Sequence, residues 1–342
     1  MFTQLRAHNR KDQWWSEELV APLVKNNLKD GHTKSTIGKA VIIAAGSASR
    51  MQNGIERYVS NGEELSAIRR GEKMAARFGR FPFLDYQLLN LVQSGVEEIN
   101  IVLKPEDHFF TERYKTVGRD MFPEAEVSFS FQEVADGTAH AVLAAADFTG
   151  DERFLLLNGD NLYSVEAITI LMDTPEELSG VVAYDREGFN PWTRRRIESF
   201  AVIETHGGLL SRIVEKAEDP ERFVVRDFLT TVGGRKIEVD GKMLVSMNLW
   251  CFGPEILEAC RVVPRHVPRK SGKPGEYELP DAVAMLLEQG HGIRVFYACE
   301  DVPDLTRPED IEIVGQQIRG HLMEKIRELE RRLRRSAQGS HG

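Results

Sequence analysis

From residue 39 onward, short apolar runs alternate with segments of helical periodicity, and this alternation constrains the fold more than any other feature of the sequence. Continuous apolar runs predict buried strands within 39–46, 97–105 and 153–161, and helical periodicity fills 81–95 and 138–148 between them. Strands and helices that alternate in this way are typical of βαβ units. We therefore predict an α/β protein with a mostly parallel central sheet and helices on both faces.

The rest of the chain extends this pattern. The segment 199–218 predicts a hairpin that turns at "HGG", and 316–336 predicts an Arg-rich amphipathic helix whose charges form a solvated face. Hexapeptide repeats are absent from the sequence, so we expect no left-handed β-helix. We divide the chain into an N-terminal extension (1–37), a main domain (38–312) and a C-terminal helix and tail (313–342).

Composition excludes several classes of protein. The formal net charge of -9 over 342 residues argues against nucleic acid as a partner, because phosphates would be repelled. Three Cys without CxxC spacing exclude a disulfide framework and a Cys-type zinc site, which suits a reducing compartment. Neither a signal peptide nor an apolar run of about 18 residues is evident. We expect a cytoplasmic protein without a membrane partner, and we leave a homo-oligomer open.

The loop "AAGSASR", residues 44–50, follows the first strand, and ligands of parallel sheets bind at the carboxyl ends of strands. Its small side chains leave backbone N–H groups uncovered, as a phosphate cradle requires, and Arg50 adds a fixed, multidentate cation. The loop has neither the P-loop pattern nor the GxGxxG pattern. Tight packing of a strand on a helix would also favour small residues, so the loop alone leaves both explanations open.

Two further sites carry charges at the ends of strands. Asp160 follows the buried strand "FLLLN", where a carboxylate suits a Mg²⁺ ion bridging to phosphates, although a turn-forming Asp is equally consistent. Glu215 and Lys216 end a hairpin strand. Lys suits a phosphomonoester, while a surface ion pair is the simpler explanation for the pair taken alone.

Taken together, these features resemble the motifs of the sugar-1-phosphate nucleotidyltransferases (NDP-sugar pyrophosphorylases) over residues 38–312. The resemblance consists of seven segments in the same order as in that family: "AAGSASRM", "EKMAARFGRFPFLDYQLLNL", "FQEVADGTAHAVLAA", "LLLNGDN", "RIVEKAED", "SMNLWCF" and "DVPDLTRPEDI". It implies a GT-A-like nucleotidyltransferase fold. It also implies Mg²⁺-assisted in-line attack of a sugar 1-phosphate on the α-phosphate of a nucleoside triphosphate, with UTP or GTP favoured.

The resemblance also assigns roles by position. The catalytic residues it implies are Arg50, Lys73, Asp160 and Lys216. The nucleotide-binding residues are Ala44, Ala45, Gly46, Ser47, Gln132, Gly137 and Thr138. The sugar-binding residues are Glu215, Lys216 and Asn248, and the ligands of Mg²⁺ are Asp160 and Asp304.

The sequence departs from the family pattern at several points. Ala48 stands where the loop usually has its second Gly, and Ser49 stands where it has Thr. The inserted segment 52–72 lengthens the distance to Lys73 and suggests a lid or an interface. Two basic segments, 190–200 and 263–277, are expected to be solvated loops, with a clamp for an anionic sugar or a second phosphate as the alternative.

Three functional hypotheses follow. We favour an active nucleotidyltransferase because the charged residues of the motifs are intact. The extensions and the insertion motivate a second hypothesis, a non-catalytic regulatory subunit that binds nucleotides or sugar nucleotides. The third keeps the reaction but uses a non-sugar acceptor such as phosphocholine, and the presence of Glu215 and Asn248 argues against it.

Overall fold

The computed structural model describes residues 37–215, 217, 219–226, 228–232, 235–266, 275–317 and 325–334. The predicted N-terminal extension therefore lies outside the described residues except at its boundary, and the domain division stays a prediction. The strands are β1 Lys39–Ile43, β2 Arg77–Phe78, β3 Phe81–Pro82, β4 Glu98–Leu103, β5 Glu126–Phe131, β6 Phe154–Asn158, β7 Ser179–Asp185, β8 Ala201–His206, β9 Leu209–Val214, β10 Leu229–Val232, β11 Arg235–Glu238, β12 Leu244–Phe252 and β13 Ile293–Ala298.

Helices connect most of these strands. The helices are α1 Ser49–Gln52, α2 Gly62–Arg70, α3 Phe83–Gln93, α4 Phe109–Arg113, α5 Arg119–Met121, α6 Thr138–Ala144, α7 Ala146–Thr149, α8 Val165–Met172, α9 Pro191–Arg194, α10 Glu255–Val262, α11 Leu279–Glu288, α12 Asp310–Gln317 and α13, residues 325–334. Short 3₁₀ turns occur at Ile55–Arg57, Lys73–Ala75, Arg186–Gly188, Ile197–Ser199 and Pro220–Arg222, and a π turn occurs at Tyr114–Gly118. No helix in this part of the chain is long and apolar enough to cross a membrane.

The central sheet has nine strands in the order β5-β4-β1-β6-β12-β7-β13-β9-β8. The pairs β4–β5, β1–β4, β1–β6 and β7–β13 are parallel, whereas β12 runs antiparallel to β6 and β7, and β9 runs antiparallel to β8 and β13. All strands of this sheet except β12 and β9 therefore point the same way. The predicted α/β fold with a mostly parallel sheet is confirmed, and so is the β8–β9 hairpin.

Apolar side chains cover both faces of the sheet. Along β6, Leu155 and Leu157 belong to one hydrophobic cluster, while Phe154 and Leu156 belong to the other. This is the period-two alternation of a strand buried on both faces. The first cluster includes residues of α3 and α8, and the second includes residues of α6, α10 and α11. Helices therefore pack on both faces, as the sequence predicts.

Helix α3 differs from the amphipathic helix that its sequence predicts, because all of its residues except the last are buried. Its buried polar side chains form hydrogen bonds with other segments of the chain. Asp85 accepts hydrogen bonds from Arg113 and from the Tyr114 hydroxyl (2.9 Å), and Asn90 donates to the Tyr163 carbonyl (2.7 Å) and accepts from Lys325 of α13. The polar face is buried under α4, the π turn and α13, which residue spacing within α3 cannot show.

The inserted segment 52–72 packs against the core through Ile55 and through Ala67 and Ile68 of α2, all of which are fully buried. Helix α2 begins where the Asn61 side chain accepts from the Glu64 amide (3.0 Å) and ends at Gly71, whose φ is +112°. The insertion is thus built into the domain by its own caps and apolar contacts, and it lies directly before Lys73.

Candidate active site

A cavity of about 190 Å³ lies at the carboxyl ends of β1 and β6. These strands are parallel neighbours with Ile43 opposite Asn158, so the loops that follow them leave the sheet side by side. The Gly159 amide joins the loops by donating to the Ile43 carbonyl (2.8 Å). The predicted site residues that line the cavity are Arg50, Asp160, Glu215, Asn248 and Asp304. Segments that are far apart in the sequence therefore converge here.

The loop after β1 has the form of an anion cradle. Within the described part of the chain, the amides of residues 45–49 have no acceptor, and the exposed Arg50 guanidinium contacts no partner. The Ala44 amide, by contrast, is already used, since it donates to the Val102 carbonyl (2.9 Å). The groups free to bind phosphate are therefore the amides of Ala45, Gly46 and Ser47, followed by the Arg50 side chain.

Ala48 holds a left-handed conformation, with φ +52° and ψ +22°, at the N-cap of α1. This is the position where the family pattern has Gly, and a Cβ in this region costs about 1–2 kcal/mol. The loop thus holds a left-handed conformation without the residue that adopts it most easily. The strained residue lies within the loop that forms the anion cradle.

We expect Ala48→Gly to raise the free energy of unfolding by about 0.5–1 kcal/mol, because relief of the left-handed strain exceeds the added entropy of the unfolded chain. Urea denaturation measures this. Ala284→Gly, in the middle of helix α11, is the control and should lose about 0.5–1 kcal/mol. A loss of stability in both variants would contradict the assignment of strain to Ala48.

Two carboxylates meet on one side of the cavity. Asn161 and Asp304 form an isolated antiparallel bridge, and the Leu305 amide donates to the Asp160 carbonyl (2.9 Å). Each carboxylate contacts a cation: Asp160 pairs with Lys73 and Asp304 pairs with Arg196. The backbone bridge thus fixes the spacing of two acidic side chains, both of which require a positive charge beside them.

The donor set fits Mg²⁺. Within the described ranges, no group of three or more His, Cys, Asp or Glu side chains could hold a metal ion by itself. Two carboxylates, however, are what Mg²⁺ commonly takes from a protein when phosphate oxygens and water complete its octahedral shell. Asp160 and Asp304 supply these two carboxylates, and the amide side chains of Asn158 and Asn161 line the same cavity.

A bulge in β12 forms another part of the cavity wall. The register with β7 shifts between Ser246 and Trp250, and Asn248 within the bulge has φ +59°. The backbone amide of Asn248 donates to Ser246 Oγ (3.1 Å), and the side-chain Oδ1 of Asn248 accepts from Trp250 Nε1 (3.2 Å). The bulge therefore turns Asn248 toward the cavity near Glu215, which follows β9.

Tyr163 links the end of β6 to the bulge in β12. Its fully buried hydroxyl donates to the Met247 carbonyl and accepts from the Asn158 amide (3.3 Å). Burial raises the pKa of Tyr163 well above its usual range, so the hydroxyl stays a neutral donor. The loop that carries Asp160 and the bulge that carries Asn248 are therefore held by one side chain.

The predicted base-binding segment is held by residues 277–279. Gln132 is buried and donates from Nε2 to the Gly137 carbonyl (3.1 Å). Thr138 Oγ1 hydrogen-bonds Glu278 (3.1 Å) and accepts from the Leu279 amide (2.8 Å). Gly137, with φ +101°, packs directly on the backbone of Tyr277. These residues do not line the cavity that holds the carboxylates.

Lys216 falls outside the described residues, so its predicted catalytic and sugar-binding roles stay predictions. Three residues near the site were not predicted from the sequence: Arg196 and Arg307, which line the cavity, and Tyr163. The only sequence signal for Arg196 was its place in the basic segment 190–200. A buried strand followed by "NLY" gave no comparable signal for Tyr163.

An α/β sheet that gathers free amides, guanidinium groups and paired carboxylates at its strand ends is typical of the class of nucleotide-binding α/β proteins. The sequence matches the family described as "Nucleotidyl transferase" over residues 61–292, which is more than half of the chain. The chain therefore belongs to the nucleotidyl transferase family. The resemblance to sugar-1-phosphate nucleotidyltransferases is confirmed.

Among curated proteins, the chain is similar to the bifunctional protein GlmU of Staphylococcus epidermidis, with 26% identity over 86% of this chain and 53% of that protein. It is also 22% identical to the UTP–glucose-1-phosphate uridylyltransferase AglF of Haloferax volcanii, over 82% of this chain and 96% of AglF. The chain spans about half the length of GlmU. A solved UDP-glucose pyrophosphorylase from Acinetobacter baumannii has the same fold, with a TM-score of 0.58, 16% identity, and coverage of 82% of this chain and 93% of that one.

Proposed function

We propose that the chain transfers a nucleotidyl group from a nucleoside triphosphate, UTP first and GTP second, to a sugar 1-phosphate and releases pyrophosphate. The observation that carries this proposal is the cavity that brings together Arg50, which directly follows the free-amide loop, the carboxylates of Asp160 and Asp304, and the bulge with Asn248. The name of the relative AglF supports UTP and a hexose 1-phosphate as substrates.

In the proposed reaction the acceptor phosphate attacks the α-phosphorus in line with the departing pyrophosphate. Both reactants are anions, so positioning and neutralisation of charge supply most of the rate enhancement. The loop amides at 45–47 and the free Arg50 guanidinium bind the β- and γ-phosphates, where charge accumulates as the P–O bond breaks. Arg50 is suited to this role because it has no competing partner in the described structure.

Asp160 and Asp304 would hold the Mg²⁺ ion, which supplies Lewis-acid stabilisation of the phosphate oxygens when it is bound. Lys73, paired with Asp160, lies within reach of the same phosphates, and its mobile ammonium can exchange a carboxylate for a phosphate oxygen. Glu215 and Asn248 offer hydrogen-bond groups for sugar hydroxyls, and Tyr163 links the bulge that carries Asn248 to the end of the strand that precedes Asp160.

The test is pyrophosphate release with Mg²⁺, over UTP, GTP, dTTP, CTP and ATP combined with common sugar 1-phosphates. We expect turnover with UTP, or secondarily GTP, and at least one sugar 1-phosphate, and loss of turnover with EDTA. Nucleotide binding in a thermal-shift assay without turnover for any pair would contradict the proposal. That outcome would favour a regulatory subunit or a non-sugar acceptor such as phosphocholine.

A further inference from the structure

Arg196 reaches the cavity from a basic segment that the proposed function does not use. The Asn190 side chain caps α9 by accepting from the backbone amides of Trp192 (2.7 Å) and Thr193 (3.1 Å). Asn190 also donates to the Asp301 carboxylate from its backbone amide (3.1 Å) and from its side-chain Nδ2 (2.8 Å). The Arg196 amide donates to the Thr193 carbonyl (2.9 Å). The backbone that carries Arg196 is therefore fixed against the segment that carries Asp304.

The guanidinium of Arg196 has two different partners. Its Nη1 donates to Asp310, at 3.2 Å from Oδ1 and 3.1 Å from Oδ2, and its Nη2 pairs with Asp304. The Arg196 side chain is only 14% exposed and that of Asp304 only 7%. Water therefore screens this pair little, and the ion pair occupies an oxygen that the proposed function assigns to a metal ion.

Asp310 is a preformed anchor for Arg196 that does not depend on Asp304. It is almost fully buried at the start of α12, and it also accepts from Trp192 Nε1 (2.9 Å) and from the amides of Thr306 (2.8 Å) and Arg307 (2.7 Å). These donors hold the carboxylate in place whether or not Nη2 is engaged. Loss of the Asp304 contact would thus free Nη2 while Nη1 stays anchored at the edge of the cavity.

We propose that Arg196 is a substrate-binding residue that occupies Asp304 in the ligand-free protein and turns its Nη2 to the phosphate of the acceptor when Asp304 ligates a divalent cation. The proposal rests on the proposed function, since it takes Asp304 as a metal ligand. The cation and Arg196 would compete for the same carboxylate, so Arg196 lowers the metal affinity of the protein without substrate.

The surroundings of Arg196 favour an anionic acceptor over a neutral one. Arg307 lines the same cavity, is exposed, and has no side-chain partner among the described residues. An anchored guanidinium and a free one, which line one cavity together with Ser199 and Asn248, form a site for a phosphate dianion. Metal binding and acceptor binding are coupled in this arrangement, because the first releases the donor that the second uses.

The test compares Arg196→Gln with Arg195→Gln, which removes the same charge from the adjacent, exposed position. Binding of Mn²⁺ alone, followed by electron paramagnetic resonance, is expected to tighten by about tenfold in Arg196→Gln, the worth of one charge-assisted hydrogen bond. Calorimetry with Mn²⁺ present is expected to show binding of glucose 1-phosphate weakened by about tenfold or more. Arg195→Gln is expected to match the wild type in both titrations.

Arg196→Lys keeps the positive charge but lacks the planar guanidinium group. Its affinities for Mn²⁺ and for glucose 1-phosphate are expected to lie between those of the wild type and Arg196→Gln. Asp310 keeps its other donors in each variant, and a thermal melt checks the fold. An unchanged Mn²⁺ affinity, or an unchanged affinity for glucose 1-phosphate, overturns the proposal. Neither titration needs turnover, so a wild type that fails to release pyrophosphate would refute the proposed function independently of this result.

Discussion

Replacing Asp160 with Asn is expected to lower kcat for pyrophosphate release by about 10³-fold, the scale of losing one preorganised electrostatic contact to the reacting phosphates. The amide keeps the shape of the side chain but removes the charge that would hold Mg²⁺. The side chains of Asp160 and Lys73 are 20% and 16% exposed, so water can solvate the Lys73 ammonium after its partner charge is removed. The fold should therefore persist. Steady-state kinetics over a Mg²⁺ titration measures the effect.

Asp151→Asn is the matched control, because Asp151 is exposed in the turn that precedes the same strand, β6. It is expected to leave kcat, the Mg²⁺ dependence and the melting temperature unchanged. Turnover by Asp160→Asn at the wild-type rate would remove Asp160 from the metal site. A melting temperature lowered by more than about 5 °C would instead indicate a structural effect.

The second large effect is expected for Gly137→Ala, which should lower the free energy of unfolding by roughly 3–5 kcal/mol. Gly137 has φ +101° and ψ 173°, a region that is essentially restricted to Gly. A Cβ there would also meet the Tyr277 backbone, at 2.6 Å from its N and 2.8 Å from its carbonyl carbon. Backbone cannot move aside as a flexible side chain can, so strain and collision add.

Gly95→Ala separates the backbone strain from the steric collision. Gly95 ends α3 with φ +93°, and a Cβ added there would meet nothing within 4 Å. This variant should lose only about 1 kcal/mol. Guanidinium denaturation of both variants, with nucleotide binding by thermal shift, measures the difference. Equal losses of stability in the two variants would show that the close approach of Tyr277 contributes nothing. Unaltered nucleotide binding by a folded Gly137→Ala variant would argue against a role of this segment in binding the base.

The sequence predicts the sheet and the general location of the site because both follow from local patterns. Apolar runs such as 39–46 and 153–161 are long enough to identify buried strands, and parallel strands bring their carboxyl ends to one edge. Arg50 and Asp160 follow directly from such runs. Their convergence in one cavity is therefore a consequence of strand order, which the alternation with helices restricts strongly.

Other parts of the site depend on contacts that local patterns do not encode. Asn248 lies in a continuous apolar strand by sequence, yet a bulge gives it a left-handed backbone and turns it to the cavity. The sequence alone does not show which of Arg194, Arg195 and Arg196 reaches the cavity. In the structure, the cap of α9 and the contact with buried Asp310 place Arg196 there. The pairing of Lys73 with Asp160 likewise requires knowing how the insertion before Lys73 packs.

The bridge between Asn161 and Asp304 has a consequence for how the protein acquires its site. These residues are about 140 positions apart in the chain, so closing this contact carries the loop-closure entropy of a segment about half as long as the domain. Contacts of such long range slow the folding reaction, because the loop-closure entropy is lost before the contact is gained. A nascent or partly folded chain would thus carry both carboxylates without a metal site, and the recovery of metal affinity during refolding would report when this contact forms.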